Sequence, residues 1–267
     1  MIRNLPSPAI FAHRGASTYA PENTLASFEL AVRQRADAIE LDAKLSADGQ
    51  VVVIHDATVD RTTDGSGYVK DLSLEALKDL DAGCAFDTSF CNERIPTLEE
   101  VFESVGRQIY INIELTNYAT PSDQLPEKAA KLVQHHNLEQ QVLFSSFHPG
   151  TLRRIHKLLP SVPLGFLTLP GFKGYLMLAL LEYWVPHQAL HPAVENTTSR
   201  LIQRQHRRKH PVYVYTVNDP SKILELHQWG VDGIFTDDPL LARQIFVTAA
   251  KIKNQGEKVI SSSANPL

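Results

Sequence analysis

Three carboxylate side chains stand where predicted β-strands end. Glu40 and Asp42 are two residues apart in the apolar run AIELD, so on a strand both project from one face. Glu114 closes the next predicted barrel strand, IYINIEL. Three such charges repel one another at short range, and a hard divalent cation removes that repulsion. Because every ligand is an oxygen, the set predicts Mg²⁺ or Ca²⁺ and not zinc; salt-bridged or helix-capping acids are the alternative.

Two histidines are candidates for proton transfer. His13 lies at the end of the first predicted strand, and His55 lies at the end of a predicted hairpin. The unperturbed pKa of histidine is about 6.5, so two histidines beside a metal can divide the acid and base roles of one reaction. Taken singly, each would be interpreted as a hydrogen-bonded structural residue. Arg14 can hold an anionic oxygen with its forked donors, or it pairs with an acid such as Glu22.

The elements that must position these side chains alternate between strand and helix along almost the whole chain. Apolar runs that predict strands begin at Ile10, Ala38, Ile109, Gln141, Pro163, Ala189, Pro211 and Gly233. An amphipathic segment follows each of them, with an insertion first in one case, which predicts an α/β fold of the (β/α)8 or TIM-barrel type. Active sites of such barrels lie at the carboxyl ends of the strands. We expect a single domain over residues 1–253.

A hairpin is predicted directly after the second strand, in LDAKLSADGQVVVIHD. The dipeptide Asp48-Gly49 between two alternating runs is typical of a two-residue turn. In that register Ala47 pairs with Gln50, and Asp42 lies opposite His55. The hairpin would therefore bring His55 back to the acidic strand end.

Residues 57–96 interrupt the alternation. They combine a loop, a short helical run (LSLEALKDL) and an irregular stretch, and we expect a small insertion after strand two that acts as a lid. The polar segment 254–267 lacks periodicity and is expected to be a disordered tail.

Composition excludes several function classes. The chain has 267 residues, 43% of them hydrophobic, and a formal net charge of −4. A chain of this size buries a core without disulfides or a structural metal. The negative charge argues against a general nucleic-acid binder, and the basic run 200–210 is expected to be the solvated face of a helix.

The sequence also predicts the environment of the protein. The longest apolar stretch, 162–185, is broken by prolines, glycines and a lysine, so we expect no stable membrane insertion. The first ten residues are too short and too rich in proline for a signal peptide. Cys84 and Cys91 can form a disulfide, but two thiols in a domain of this size favour a reducing compartment. We therefore expect a cytoplasmic protein; its oligomeric state is open.

Seven motifs together resemble the glycerophosphodiester phosphodiesterase family over nearly the whole chain. In order they are HRGAS…APENTLASFELAV, AIELDAKLSADGQVVVIHDATVDRTTDGSG, IPTLEEV, NIEL, SSF, YTVN and GVDGIFTD. The resemblance implies a TIM barrel with an insertion after strand two, a divalent metal, and hydrolysis of glycerophosphodiesters to glycerol 3-phosphate and an alcohol.

Individual residues match family positions. The resemblance implies that Glu40, Asp42 and Glu114 bind the metal and that His13 and His55 are the general acid/base pair. It implies that Arg14 contacts the phosphate, and it places Glu22 and Asn23 in the shared PENT motif at the substrate site.

Two positions depart from the family pattern. Thr116 stands where a lysine usually follows the third metal ligand in E-x-K, and Tyr215 stands where a tryptophan is common. Losing a charge-assisted contact of about 1.5–3 kcal/mol would weaken transition-state binding unless another cation replaces it. Tyr215 keeps an aromatic wall beside the substrate.

The resemblance leaves alternatives open. A lysophospholipase D activity would use the apolar stretch 164–185 to contact a lipid chain, and Thr116 would also fit a catalytically weak binding protein on the same fold. In the proposed reaction, one histidine deprotonates the nucleophile and the other protonates the leaving alkoxide. That nucleophile is either water or the neighbouring glycerol hydroxyl.

Overall fold

Eight parallel strands form a barrel in the computed structural model, which describes residues 2–263, and of residues 3 and 252–263 only the backbone. The strands are β1 (Ala9–His13), β2 (Ala38–Leu45), β4 (Tyr110–Leu115), β5 (Val142–Ser146), β6 (Leu164–Thr168), β7 (Ala189–Pro192), β8 (Tyr213–Val214) and β9 (Gly233–Thr236), while β3 (Val51–Val53) pairs antiparallel with β2. Around the barrel their order is β7-β6-β5-β4-β2-β1-β9-β8. Bridges from Leu190 to Val212 and from Ala193 to Tyr215 join β7 to β8 and close the ring. The predicted TIM-barrel fold is confirmed.

Helices surround this ring, and most begin at a side chain that caps them. They are α1 (Leu25–Arg33), α2 (Leu74–Asp79), α3 (Leu98–Val105), α4 (Leu125–His135), α5 (Pro149–Leu158), α6 (Gly171–Leu180), α7 (Ser199–Arg207), α8 (Pro220–Gln228) and α9 (Pro239–Ser263). Thr24 and Thr97 each form a capping box, which satisfies amide groups that a helix start leaves free. The apolar faces of the helices cover the outside of the sheet.

The floor of the barrel interior is apolar and aromatic. Phe11 packs against Tyr213 and Phe235, with ring centroids 4.8 and 4.6 Å apart. Fully buried His191 lies 5.1 Å from the Phe235 ring, over Gly165, where a Cβ atom would collide with the imidazole. Side chains fill the lower barrel, so the ionisable groups of the site are confined to its other end.

The hairpin after β2 has a three-residue loop and not the predicted two-residue turn. The Ser46 amide donates to the carbonyl oxygen of Gln50 at 3.0 Å, which leaves residues 47–49 as the loop. A type I′ turn needs positive φ at both central residues, but Gly49 has φ of 76° and Asp48 has no positive φ. The Asp48 carboxylate accepts a hydrogen bond from the Ser46 hydroxyl at 2.5 Å.

This loop shifts the hairpin register by one residue. The Ile54 amide donates to the carbonyl oxygen of Asp42 at 2.9 Å, so Asp42 lies opposite Ile54. The prediction that Asp42 faces His55 is therefore wrong by one position, and His55 lies one residue beyond the acidic strand end.

The insertion over residues 57–96 has a small core of its own. Its apolar side chains pack with β3 and with the segment before α3, in a cluster of Val52, Ile54, Val59, Val69, Leu77, Ala82 and Ile95. The short predicted helix is α2. The insertion is thus a packed unit on the barrel, and its action as a lid stays a prediction.

Cys84 and Cys91 are joined in a disulfide, so the preference for free thiols is wrong. The Asp81 carboxylate holds both ends of the loop between them. It accepts the Cys84 amide at 2.7 Å and the Asn92 amide at 2.5 Å. Paired cysteines give no support to a reducing compartment, and the cytoplasmic location stays a prediction.

At the carboxyl end, the backbone of α9 is helical to Ser263, past the boundary expected at residue 253. The rest of the predicted tail, residues 264–267, lies outside the described residues. Among the helices described, none has the length and apolar character needed to cross a bilayer.

Candidate active site

The three predicted carboxylates meet at the carboxyl end of β2 and β4. Asp42 lies opposite Glu114 in the parallel register, and Glu40 lies opposite His13 of β1. One oxygen of each carboxylate lies within 4.8 Å of the others. Glu40 and Asp42 are buried, with 3% and 1% of their surface exposed, and Glu114 is half-buried.

The electrostatics of this cluster fit a hard divalent cation. Burial raises the pKa of Glu40, and the charges of Asp42 and Glu114 raise it further. Burial followed by the charge of Asp42 likewise raises the pKa of Glu114. Both effects penalise bare carboxylates, and a bound cation relieves both because it supplies positive charge and replaces water as the oxygen partner.

Two residues from the first loop hold the acids in place. The Asn23 amide donates to Asp42 Oδ2 at 2.9 Å, and the Arg14 backbone amide donates to Glu40 Oε2 at 3.0 Å. The Arg14 side chain lies 2.9 Å from Glu22 and 3.4 Å from Asp42. Asn23 and Arg14 both adopt positive φ, so the loop between β1 and α1 is bent to aim them at the acids. Arg14 therefore has the acidic partners that its alternative interpretation predicted.

His13 is paired with a carboxylate from the last strand. Its Nδ1 lies 2.7 Å from Asp237 Oδ1, directly after β9, and β9 pairs with β1. Burial acts to raise the pKa of Asp237, but the hydrogen bond and charge of His13 outweigh burial and leave that pKa below its usual value. An ionised carboxylate only accepts hydrogen bonds, so Nδ1 of His13 carries a proton and Nε2 is free for proton transfer.

His55 is paired in the same way with its sequence neighbour. Its Nδ1 lies 2.6 Å from Asp56 Oδ1, and Arg61 of the insertion donates to Asp56 Oδ2 at 2.7 Å. The hydrogen bond from Arg61 holds the pKa of Asp56 well below its usual value. Arg61 also donates twice to Glu22, which pairs with Arg14. An ionic chain thus connects His55 to Asp42 of the carboxylate cluster.

Lys44 provides a cation beside the position where the family lysine is missing. It lies two residues past Asp42 on the same face of β2, and its ammonium donates to Thr116 Oγ1 at 2.7 Å and to the Thr116 carbonyl oxygen at 3.2 Å. Thr116 Oγ1 in turn donates to the carbonyl oxygen of Ala43 at 2.8 Å. Thr116 therefore anchors Lys44, with the hydrogen of its own hydroxyl already donated.

Burial lowers the pKa of Lys44, and the charges of Asp42, Glu114 and Asp56 oppose this. Among the described residues no carboxylate forms an ion pair with Lys44, and two of its three N–H groups are used. The third has no protein acceptor in that part of the chain. Lys44 lines a cavity of about 320 Å³ together with Tyr68, Lys70, Asn117 and Thr120.

Tyr215 lies across the barrel mouth from β2. Its hydroxyl donates to the Thr168 carbonyl oxygen at 2.7 Å, and its ring packs edge-on against Phe147 at 5.9 Å. The aromatic wall is present. Its contact with substrate stays a prediction.

Comparison with known proteins identifies this arrangement. The model of the glycerophosphoryl diester phosphodiesterase family matches residues 13–241. A glycerophosphodiester phosphodiesterase of Caldanaerobacter subterraneus is 41% identical over 236 residues, which cover 86% of this chain and 94% of the relative. The chain belongs to the glycerophosphoryl diester phosphodiesterase family. As a member, it is a phosphoric diester hydrolase, and the predicted family is confirmed.

Solved structures of related phosphodiesterases share the barrel. An Oleispira antarctica phosphodiesterase, in complex with the product sn-glycerol-3-phosphate, superposes with a TM-score of 0.81 at 31% identity and covers 90% of this chain and 97% of its own. A glycerophosphodiester phosphodiesterase from Agrobacterium tumefaciens has a TM-score of 0.74 at 29% identity, covering 88% and 98%.

Sequence reasoning missed four polar residues of this phosphodiesterase site. Asp237 had a signal, because it ends the last strand run GIFTD just as Asp42 ends AIELD. Lys44 had one too, since it continues the period-two series of Glu40 and Asp42. Asp56 follows His55 directly. Arg61 had no such signal, because its position depends on the fold of the insertion.

Proposed function

We propose that this phosphodiesterase hydrolyses small glycerophosphodiesters to glycerol 3-phosphate and an alcohol at the barrel mouth. One observation carries the proposal: three carboxylates cluster at strand ends where His13 lies opposite Glu40 and His55 follows the partner of Asp42, and each histidine is oriented by an aspartate. The related Oleispira antarctica phosphodiesterase, whose structure holds the product sn-glycerol-3-phosphate, supports the same product here.

Glu40, Asp42 and Glu114 would hold the cation, Mg²⁺ or Ca²⁺. When bound, such a cation supplies Lewis-acid stabilisation of charge on the phosphoryl oxygens. Asn23 and the Arg14 amide keep Asp42 and Glu40 in position for it.

His13 and His55 then handle the two protons of the reaction. Because Asp237 and Asp56 each fix the Nδ1 proton, Nε2 of each imidazole is free to accept or donate. One histidine takes the proton of the nucleophile, and the other, protonated, gives one to the oxygen of the departing alcohol. Both side chains are partly exposed, at 20% and 42%, so substrate can reach them.

Lys44 and Arg14 supply the positive charge that the phosphodiester needs. Lys44 lies two residues past Asp42 on the same face of β2, and its ammonium is held beside Thr116, which itself offers no cation. The cavity beside Lys44 is large enough for one of the two alcohol groups of the diester. Lys44 and Lys70 in its lining favour a neutral or anionic alcohol there over a cationic one.

Neither alternative function gains support. The apolar stretch 164–185 contains β6 and α6, and most large apolar side chains of α6 are exposed outside the barrel, so this segment does not line the barrel mouth where a lysophospholipid chain would bind. Thr116 suggested a catalytically weak binding protein because it lacks the positive charge of the usual lysine. We propose that Lys44, which donates to Thr116 Oγ1, supplies that charge.

The test is release of glycerol 3-phosphate from glycerophosphoglycerol and glycerophosphocholine, with Mg²⁺, Ca²⁺ or EDTA. We expect metal-dependent turnover that EDTA abolishes and that His13→Ala loses. Lysophosphatidylcholine in the same assay separates the lipid activity. No metal-dependent turnover of any glycerophosphodiester would contradict the proposal.

The nucleophile is a separate question with its own experiment. We expect the internal glycerol hydroxyl to attack, since its effective molarity far exceeds that of water. This step expels the alcohol and forms a cyclic phosphate, which water then opens to glycerol 3-phosphate with the acid and base roles of the histidines exchanged. Trapping a cyclic phosphate would support this route. Single-step incorporation of oxygen-18 from water with no cyclic species would exclude it.

A further inference from the structure

One side of the barrel carries a large apolar surface that the described residues leave uncovered. Eight of the sixteen exposed large hydrophobic side chains in this part of the chain lie in segment 169–184. They are Leu169, Phe172, Tyr175, Leu176, Leu180, Leu181, Tyr183 and Trp184, and we call them the α6 patch. Phe172 and Trp184 are the most exposed, at 80% and 75%. Protein surfaces in water rarely carry contiguous apolar patches of this kind without a partner.

The patch is convex, because α6 rests on the barrel along a narrow line. Only Gly174 and Leu178 of this helix are buried, one helical turn apart. Gly174 allows the close approach, since a Cβ atom there would collide with the Leu169 carbonyl oxygen. The remaining face of α6 points outward and offers a ridge to its partner, not a groove.

Cations border the patch. Lys173 is exposed within α6 itself. The Arg208 guanidinium lies 4.5 Å from the centre of the Tyr183 ring, and Arg153 donates to the Trp184 carbonyl oxygen at 3.1 Å. Glu182 is the single acid of segment 169–184, and it is buried under arginines.

The charge of the surrounding sequence is reversed relative to the rest of the protein. Residues 148–210, from α5 to the end of α7, contain nine lysines and arginines and two acids, a net charge of +7. The rest of the chain has 17 basic and 28 acidic residues, a net charge of −11. The segment that exposes the apolar patch is therefore also the basic part of an acidic protein.

We propose that the α6 patch docks this phosphodiesterase on the surface of an anionic phospholipid bilayer. Tryptophan and tyrosine suit the boundary between headgroups and acyl chains, and Phe172 and the leucines enter the apolar layer. Lysines and arginines around them attract anionic headgroups. A second copy of the chain is the poorer partner, because the cations that border the patch would then face the same cations of the other copy.

The experiment is sedimentation of the full chain with two kinds of vesicle, phosphatidylcholine alone or with one-third phosphatidylglycerol. We expect binding to the anionic vesicles, weakened by salt. Phe172→Ser combined with Trp184→Ser removes two anchors and should weaken binding more than about tenfold. Phe86→Ser, at a 46% exposed aromatic in the insertion, is the matched control and should bind like wild type.

Charge variants and spectroscopy provide a second arm. Lys173→Glu combined with Arg153→Glu should weaken binding to anionic vesicles about tenfold or more, because each reversal removes one attraction and adds one repulsion. Emission of Trp184 should shift to the blue on binding, a change that Trp184→Phe loses while half-buried Trp229 remains. Far-UV circular dichroism and thermal melting verify that each variant is folded.

The proposal is overturned if the wild-type protein does not sediment with anionic vesicles. It is likewise overturned if Phe172→Ser combined with Trp184→Ser binds them as well as the wild type does. It is also overturned if light scattering shows a dimer that Phe172→Ser with Trp184→Ser disperses, since a second copy would then occupy the patch. None of these outcomes depends on the substrate.

Discussion

The two histidine pairs of this phosphodiesterase differ in what positions them. His13 and Asp237 are 224 residues apart, and the backbone pairing of β1 with β9 brings them together. His55 and Asp56 are sequence neighbours beyond the hairpin, and Arg61 of the insertion fixes them. The first histidine is 20% exposed and the second 42%.

The difference shows that one chemical unit can have two kinds of support. Strand pairing positions His13 through backbone hydrogen bonds within a packed barrel. The His55 side depends on ion pairs at a half-exposed surface, which salt screens and which contribute little individually. We therefore expect the position of His13 to change little with salt concentration, whereas the position of His55 should depend on it.

The largest expected effect is loss of either imidazole. His13→Ala and His55→Ala should each lower kcat about 10²- to 10⁴-fold, because each removes a general acid or base. Steady-state release of glycerol 3-phosphate measures both. Wild-type turnover in either variant would remove that histidine from the mechanism.

A substrate with a nitrophenol leaving group assigns the two roles. Nitrophenolate departs without a proton, so the variant that lacks the general acid should recover most of its activity on the nitrophenyl ester. The variant that lacks the base should not. Equal recovery by both would show that the division of roles is wrong.

The aspartates test the comparison directly. Asp237→Asn should lower kcat about a hundredfold, since an amide no longer enforces the tautomer of His13. Asp56→Asn should cost about tenfold, because the exposed His55 can be oriented by water. Equal losses would show that the mode of support does not matter.

The two cations give a smaller contrast. Lys44→Met should lower kcat/KM roughly ten- to hundredfold, because it removes an uncompensated charge-assisted donor. Arg61→Met should cost less than about tenfold, since Glu22 keeps Arg14 and Asp56 keeps His55. The decrease in kcat/KM caused by Arg61→Met should be smaller at high salt, because salt already weakens the ion pairs of Arg61 in the wild type.

The control for Lys44 is its exchange with Thr116. The double variant Lys44→Thr with Thr116→Lys returns a cation to the same level and should recover activity that Lys44→Met lacks. Lys44→Met with an unchanged kcat/KM would exclude the role assigned to Lys44.

His191 is a histidine of the same barrel that pairs with no carboxylate among the residues that the structure describes, and it should affect stability and not catalysis. Burial lowers its pKa to about 3, so the folded protein keeps it neutral while the unfolded chain binds a proton below about pH 6.5. Stability from this group is therefore complete above pH 6.5 and falls as the pH drops, by about 1.4 kcal/mol between pH 7.5 and 5.5. The free energy of unfolding in urea, measured for wild type and His191→Leu at pH 7.5 and 5.5, tests this prediction. An equal pH dependence of the two proteins would contradict it.

Period-two patterns made much of the site predictable. On a strand, alternate residues share a face, so Glu40, Asp42 and Glu114 could be grouped before any coordinates were known. The hairpin register could not, because it depends on whether one residue, Asp48, adopts positive φ. Arg61 and the Cys84–Cys91 disulfide depend on loop geometry within the insertion, which has no repeating pattern to interpret.

The pairing of β2 with β4 also bears on how such a site can change over generations. Asp42 lies opposite Glu114, so Lys44 and Thr116 lie at one height above them on neighbouring strands. A positive charge can pass from one strand to the next at that height while the acids below stay in place. On the role proposed for Lys44, a lysine at position 44 makes a lysine at position 116 dispensable, so the two positions can exchange the charge without loss of activity.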